Sequence, residues 1–180
     1  YLTTVELLLE TGDRAEARKL IERVLRNEES APVRDYLDAR LAIAEERWLD
    51  ASKLLQRARE ARWLPLELQQ TIYLSLARVQ REMGNHDREL EAAESALDLN
   101  PGYLSSILAR ADALAALNRD AEALVVYQSL QNRVPEARLA AVGLRMNAML
   151  RRPAGERNWT DIRNQLFEMP VALRASPRFA

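Results

Sequence analysis

A spacing of 34 residues between equivalent positions is the feature that most constrains this chain. It separates Pro101 from Pro135, and it separates Gly84 from Asn118, each of which lies between two apolar segments. Repeats with a period of 20 to 50 residues are the mark of arrays built from one supersecondary unit. The chain is therefore predicted to be an array of similar units, in which each unit covers its neighbour's apolar face.

The same period continues toward the N-terminus through the alanines. Ala17 and Ala51 are 34 residues apart, but the step from Ala51 to the equivalent Glu89 is 38 residues. Four extra residues are therefore expected, and we place them within residues 62–67. The in-phase positions define units of approximately 1–31, 32–65, 66–101, 102–135 and 136–169.

Each unit has the pattern of two amphipathic helices joined by a short turn. Apolar or small residues recur at helical spacing, and the turns carry residues suited to left-handed or capping backbone, such as Gly12 and Gly84. Proline follows the second helix, where it can begin the next one. Helices are predicted near 1–11, 14–27, 32–45, 48–61, 65–83, 86–98, 102–116, 120–132 and 136–150. A polar loop at 151–158 precedes a last helix at 159–169, and residues 170–180 are a tail or the start of a further repeat.

The third unit, QTIYLSLARVQREMGNHDRELEAAESALDLNP, resembles the tetratricopeptide repeat family. The resemblance rests on an aromatic residue, a Leu-Ala pair, a turn glycine, two small residues and a closing proline: Tyr73, Leu76, Ala77, Gly84, Ala93, Ala96 and Pro101. Five positions depart from the family pattern: Glu89 replaces an alanine of the second helix, Glu46 replaces a turn glycine, and a leucine is commoner at Thr4, Asp38 and Arg110. The resemblance covers roughly residues 1–135, and an irregular fifth unit follows them.

The resemblance implies an all-α fold, a right-handed α-solenoid of about five stacked helix-turn-helix hairpins. Residues 1–169 would form a single solenoid domain, with the first helices lining a concave groove. It also implies binding of proteins instead of catalysis. The exposed ends of such a solenoid are expected to associate with another copy.

Composition narrows the function classes. Charged residues make up 29% and nearly cancel, leaving a formal net charge of −1, so the basic stripe of a nucleic-acid binder is not expected. The chain has no cysteine, which excludes disulfides and thiol chemistry. No apolar run is long enough to span a membrane. The chain begins with Tyr1, so we expect it to be a piece of a longer protein, in the cytoplasm or a periplasm.

No residue pattern indicates an active site, a cofactor or a metal. His86 is the only histidine, and we expect it to be an exposed turn residue, because no partner stands at motif spacing. Carboxylate pairs such as Glu45 and Glu46 are expected to lie on a solvated face. Trp48 and Trp63 bracket one second helix, and packing between hairpins is their predicted role, with exposure to a partner as the alternative.

The groove is where a binding site is predicted. Helical phase assigns to its wall the residues Tyr36, Arg40, Leu74, Arg78, Arg81, Leu108 and Asp112. Arg40 and Arg78 stand at equivalent places in successive units and can hold a carboxylate or an acidic peptide by charge-assisted hydrogen bonds. The alternative is that they pair with neighbouring acids. Some family members clamp a peptide's C-terminal carboxylate with a lysine, but Tyr36 and Leu74 occupy those places here, so that specificity is not expected.

The predicted function is thus a non-catalytic protein-interaction module that binds a peptide or helix in its groove. Two alternatives remain open at this stage. One is a regulatory segment of a larger enzyme whose active site lies elsewhere. The other is a periplasmic scaffold for envelope assembly or polysaccharide export.

Overall fold

The computed structural model describes residues 2–24 and 31–169 of the chain. These residues form ten α-helices and no β-strand. The helices are α1 (Leu2–Glu10), α2 (Arg14–Val24), α3 (Ala31–Ala44), α4 (Trp48–Ala58), α5 (Leu66–Glu82), α6 (His86–Leu99), α7 (Leu104–Ala116), α8 (Asp120–Leu130), α9 (Pro135–Leu150) and α10 (Thr160–Phe167). The all-α prediction is confirmed. The predicted end of the second helix at residue 27 and the tail 170–180 lie outside the described residues.

Two helix ends differ from the predicted bounds for local reasons. The fourth helix stops at Ala58 because the next amides bond to carbonyls only three residues back, as in the bond from Glu60 N to Arg57 O. Such bonds tighten a last turn and end it. The seventh helix starts at Leu104, two residues late, because the side chain of Asn100 accepts a hydrogen bond from the Gly102 amide at 3.2 Å and forms a turn.

All four inter-helix turns of the first four hairpins close in one way. The turn residues with positive φ are Gly12 (84°), Glu46 (58°), Gly84 (72°) and Asn118 (59°). In each turn the following amide bonds to a carbonyl five residues back, as from Asp13 N to Leu8 O and from Arg47 N to Ala42 O. This is the Schellman closure of a helix C-terminus. The repeat period therefore reflects a backbone geometry that each of the first four hairpins reproduces.

Contacts between Cα atoms divide the chain into two compact units, Tyr1–Ala109 and Arg110–Ala180. In the first unit α4 packs on both α3 and α5, α5 packs on α6, and α1 packs on α2 and α3. Its core includes the small residues at the helix crossings and large residues that fill the space between them, such as Leu55 and Ile72. Full burial of a leucine or isoleucine side chain stabilises by about 1.5–3 kcal/mol.

The extra residues between the second and third hairpins lie in the connection 59–65, between α4 and α5. Leu64 turns into the core there, whereas Trp63 is 66% exposed. The side-chain amide of Gln69 holds this connection by donating to the carbonyls of Leu64 and Arg62 at 2.7 Å and 3.0 Å. The predicted insertion at 62–67 thus coincides with the connection and the start of α5.

The second unit contains α8, which packs on α9, and α10, which packs on α9. Leu139, Val142, Ile162 and Met169 form a core between α9 and α10. The loop 151–158 replaces the tight turn of the other hairpins, and Arg157 donates to the carbonyls of Arg152 and Leu150 at the end of α9. The prediction of one continuous domain over 1–169 stays a prediction.

Candidate functional site

The residues predicted to line the groove lie on three first helices. Tyr36 and Arg40 are on α3, while Leu74, Arg78 and Arg81 are on α5. Leu108 and Asp112 are on α7, where the boundary between the two units falls. The first unit therefore contains six of the seven, and Asp112 is described with the second unit.

The first helix and the third helix share a hydrogen-bonded cluster. The buried Tyr36 hydroxyl donates to Glu6 Oε1 at 2.9 Å and accepts from Arg40 Nη1 at 3.4 Å. Arg40 Nη1 lies 3.8 Å from the same Glu6 oxygen, and both side chains are partly exposed. Burial raises the pKa of the Tyr36 hydroxyl to about 12; the Arg40 guanidinium opposes this shift, and Glu6 adds to it. An acid binding at Arg40 must compete with Glu6.

Arg78 differs from its equivalent on α3. Its side chain is exposed, and it has no hydrogen bond or ion pair with any other described residue. Leu74 lies one helical turn earlier and is half-buried, so the two share a face of α5. This face thus combines an apolar surface with a cation available to a partner.

Arg81 forms an ion pair inside the third hairpin. Its Nε donates to Glu89 Oε1 at 2.6 Å, and its side chain is 33% exposed. Glu89 is fully buried, and its second oxygen lies 3.0 Å from His86 Nδ1. His86 is therefore half-buried and bonded at the start of α6, and the prediction of an exposed turn residue is wrong for it.

The last two predicted residues have different surroundings. Leu108 is half-buried on α7. In the second unit, Asp112 Oδ1 accepts a hydrogen bond of 2.6 Å from the buried Tyr127 hydroxyl, which joins α7 to α8. Asp112 thus has a structural contact within its own hairpin.

The structure also corrects two other expectations. Trp48 packs partly buried against the core as predicted, but Trp63 is exposed because Leu64 takes the buried position in that connection. Glu45 does not lie on a simply solvated face, since it accepts from Arg18 on α2 at 2.7 Å and from Arg47 at 2.9 Å. Burial alone would raise the pKa of the Glu45 carboxyl, but these arginines outweigh it and lower the pKa.

A concavity that sequence reasoning missed lies among α4, α5 and α6. Its volume is 310 Å³, and it is lined by Gln56, Arg59, Leu76, Gln80, Arg88, Glu91 and Ala92. The buried amide of Gln80 on its wall is already engaged, since it donates to Ser52 Oγ at 2.9 Å and accepts from Asn85 at 3.1 Å. The Gln80 side chain therefore links α5 to α4 and to the turn before α6.

The described ranges contain neither a metal-ligand cluster nor a membrane-spanning helix. No group of three or more histidine, aspartate or glutamate side chains there is arranged to hold a metal ion. No helix in residues 2–24 or 31–169 is long and apolar enough to cross a membrane.

Comparison with solved structures places this geometry among known folds. The chain superposes on the tetratricopeptide repeat protein YrrB with a TM-score of 0.71 at 15% identity, covering 99% of this chain and 87% of that one. The chain has the tetratricopeptide repeat fold. MamA (AMB-1) gives a TM-score of 0.65 at 15% identity, covering 99% and 96%. YrrB is described as having an unusual peptide-binding site. No protein-family model and no curated protein sequence matches the chain.

Proposed function

We propose that this chain is a non-catalytic protein-interaction module that holds an extended peptide or a helix against its first helices. The observation that carries the proposal is the face of α5, where Leu74 offers apolar surface and the exposed Arg78 has no partner among the described residues. The tetratricopeptide repeat fold supports it, and so does the peptide-binding site described for YrrB, which has this fold.

In the proposed mechanism two kinds of contact hold the partner, one apolar and one charged. Apolar side chains of the partner pack on Leu74, and a partner carboxylate accepts from the guanidinium of Arg78, which is suited to bidentate hydrogen bonds. Arg40 is a second, weaker cation, because the Glu6 carboxylate lies 3.8 Å from its Nη1. If the groove is already formed before binding, only the peptide loses conformational freedom when it binds.

The test selects peptides from a displayed library of random 12-residue sequences against the immobilised chain. The tightest peptide is then labelled with fluorescein, and its dissociation constant is measured by fluorescence anisotropy. We expect Arg40→Gln combined with Arg78→Glu to weaken binding by at least about tenfold, since loss of one charge-assisted hydrogen bond is worth about 1.5–3 kcal/mol. Glutamine is used at position 40 because a glutamate there would repel the neighbouring Glu6 carboxylate.

The matched control is Arg62→Glu combined with Arg133→Gln. Both arginines are exposed and lie in connections between helices, and the change in net charge is the same. The control should bind like the wild type. Failure to select any saturably binding peptide, or equal weakening by both double variants, would overturn the proposal.

A further inference from the structure

The third hairpin carries a buried charge where the other hairpins carry none. In the repeat alignment Glu89 corresponds to Ala17, Ala51 and Ala123, and all four side chains are 0% exposed. The residue facing it from the first helix also differs, since Arg81 stands where the first two hairpins have Leu9 and Ile43. Two positions that are apolar in the first and second hairpins thus form an ion pair in the third.

Packing alone does not explain this replacement. Taking a carboxylate out of water costs several kcal/mol, and a buried ion pair is often no more stable than an apolar pair of similar volume. Alanine already fits this position in three hairpins. A reason for Glu89 must therefore be sought in what it does to Arg81.

Glu89 fixes the guanidinium of Arg81 on α5. The bond from Arg81 Nε to Glu89 Oε1 is short, at 2.6 Å, and Glu89 is itself held by His86 at its other oxygen. Arg81 remains 33% exposed, and it lies three residues after Arg78, on the same side of α5. An arginine carries five N–H donors in one plane, so engagement of Nε sets the direction of the others.

We propose that Glu89 is a positioning residue, which orients Arg81 beside Arg78 so that this groove selects partners with closely spaced carboxylates, that is, an acidic peptide. The inference rests on the proposed function and specifies the partner class of the same site. A fixed guanidinium loses less conformational freedom on binding than a mobile one. The negative charge of Glu89 acts the other way, because it weakens the attraction of Arg81 for an acid.

Two substitutions at position 89 separate these effects. Glu89→Ala removes both the charge and the hydrogen bond, and it installs the residue that the other hairpins contain. Glu89→Gln removes the charge, but its side-chain oxygen can still accept from Arg81 Nε while its NH₂ group donates to His86 Nδ1. A positioning role predicts that glutamine preserves the preference for acids and that alanine weakens it.

The experiment measures anisotropy with two fluorescein-labelled 12-residue peptides, four repeats of Glu-Ser-Leu and four repeats of Gln-Ser-Leu. The wild-type chain should bind the glutamate peptide about tenfold more tightly than the glutamine peptide. Glu89→Ala should lower this ratio severalfold, to the part that Arg78 supplies without an oriented Arg81, and Glu89→Gln should keep or raise it. The control variant Arg62→Ala, in the connection 59–65, should leave the ratio unchanged. A loss of folding would weaken both peptides, so the ratio isolates the positioning effect.

Two results would overturn the inference. One is a wild-type chain without preference for the glutamate peptide. The other is a Glu89→Ala chain whose preference equals or exceeds that of the wild type, which would mean that Glu89 only neutralises Arg81. In either case the displayed-library peptides decide the proposed function separately, because those peptides are selected without regard to charge.

Discussion

Glu46 has a left-handed backbone, with φ at 58°, at the position where the first and third hairpins have glycine. A residue with a side chain is destabilised by roughly 1–2 kcal/mol in this conformation. Glycine avoids this cost, but it loses more conformational entropy on folding, which offsets part of the benefit. The exposed Glu46 side chain makes no hydrogen bond with the rest of the described chain. We therefore expect Glu46→Gly to raise the free energy of unfolding by about 0.5–1 kcal/mol, measured by urea denaturation. Asn118→Gly, where asparagine already tolerates this backbone, should give a smaller gain, and an unchanged midpoint for Glu46→Gly would contradict the strain.

Tyr36 gives the stability of the chain a dependence on alkaline pH. Its hydroxyl pKa is raised to about 12 in the folded chain, mainly by burial, whereas an unfolded tyrosine titrates near 10. Between these values the unfolded chain loses the proton first, so this contribution is full below pH 10 and is lost as pH rises toward 12. Two pKa units amount to about 2.7 kcal/mol at most. The free energy of unfolding should thus fall more steeply above pH 10 in the wild type than in Tyr36→Phe, and parallel curves would contradict the assignment.

At the scale of the helix, Ala96 tests the register of the packed face of α6. Its side chain is fully buried, and its carbonyl accepts from the Gln70 amide of α5 at 3.4 Å. Ala96→Asp places a charge in this contact and should lower the free energy of unfolding by several kcal/mol. The same change at the exposed Ala121 of α8 should alter it by less than about 0.5 kcal/mol. Thermal melts followed by circular dichroism compare the two, and equal melting temperatures would mean that the assigned face of α6 is wrong.

The sequence predicted helices better than it predicted connections. Apolar periodicity and turn residues located all ten helices, since both act within a few residues along the chain. The exposure of Trp63 could not be read in this way, because it depends on whether Trp63 or Leu64 turns into the core. The pairing of Arg81 with Glu89 was also missed, although an acid at an alanine position is a signal that a buried partner should be sought.

For the whole molecule, net charge proved a poor guide to the candidate site. The formal charge of −1 hides a local arrangement in which Glu6 compensates Arg40, Glu89 compensates Arg81, and Arg78 has no counterion among the described residues. The helical periodicity of the sequence placed these arginines on first helices, but only the structure shows which of them have a counterion. The proposed preference for an acidic partner follows from that difference and not from composition.

The last prediction concerns how stability is distributed along the array. In a repeat protein each unit is stabilised by its neighbours alone, so opening is local and starts where least is buried. The fifth helix buries seven of its 17 residues, whereas α10 buries one of eight. Hydrogen exchange of the native chain, resolved by peptide mass spectrometry, should therefore show the slowest exchange in α5 and much faster exchange in α10. Uniform protection across all helices would instead indicate one cooperative unit and would contradict the nearest-neighbour account.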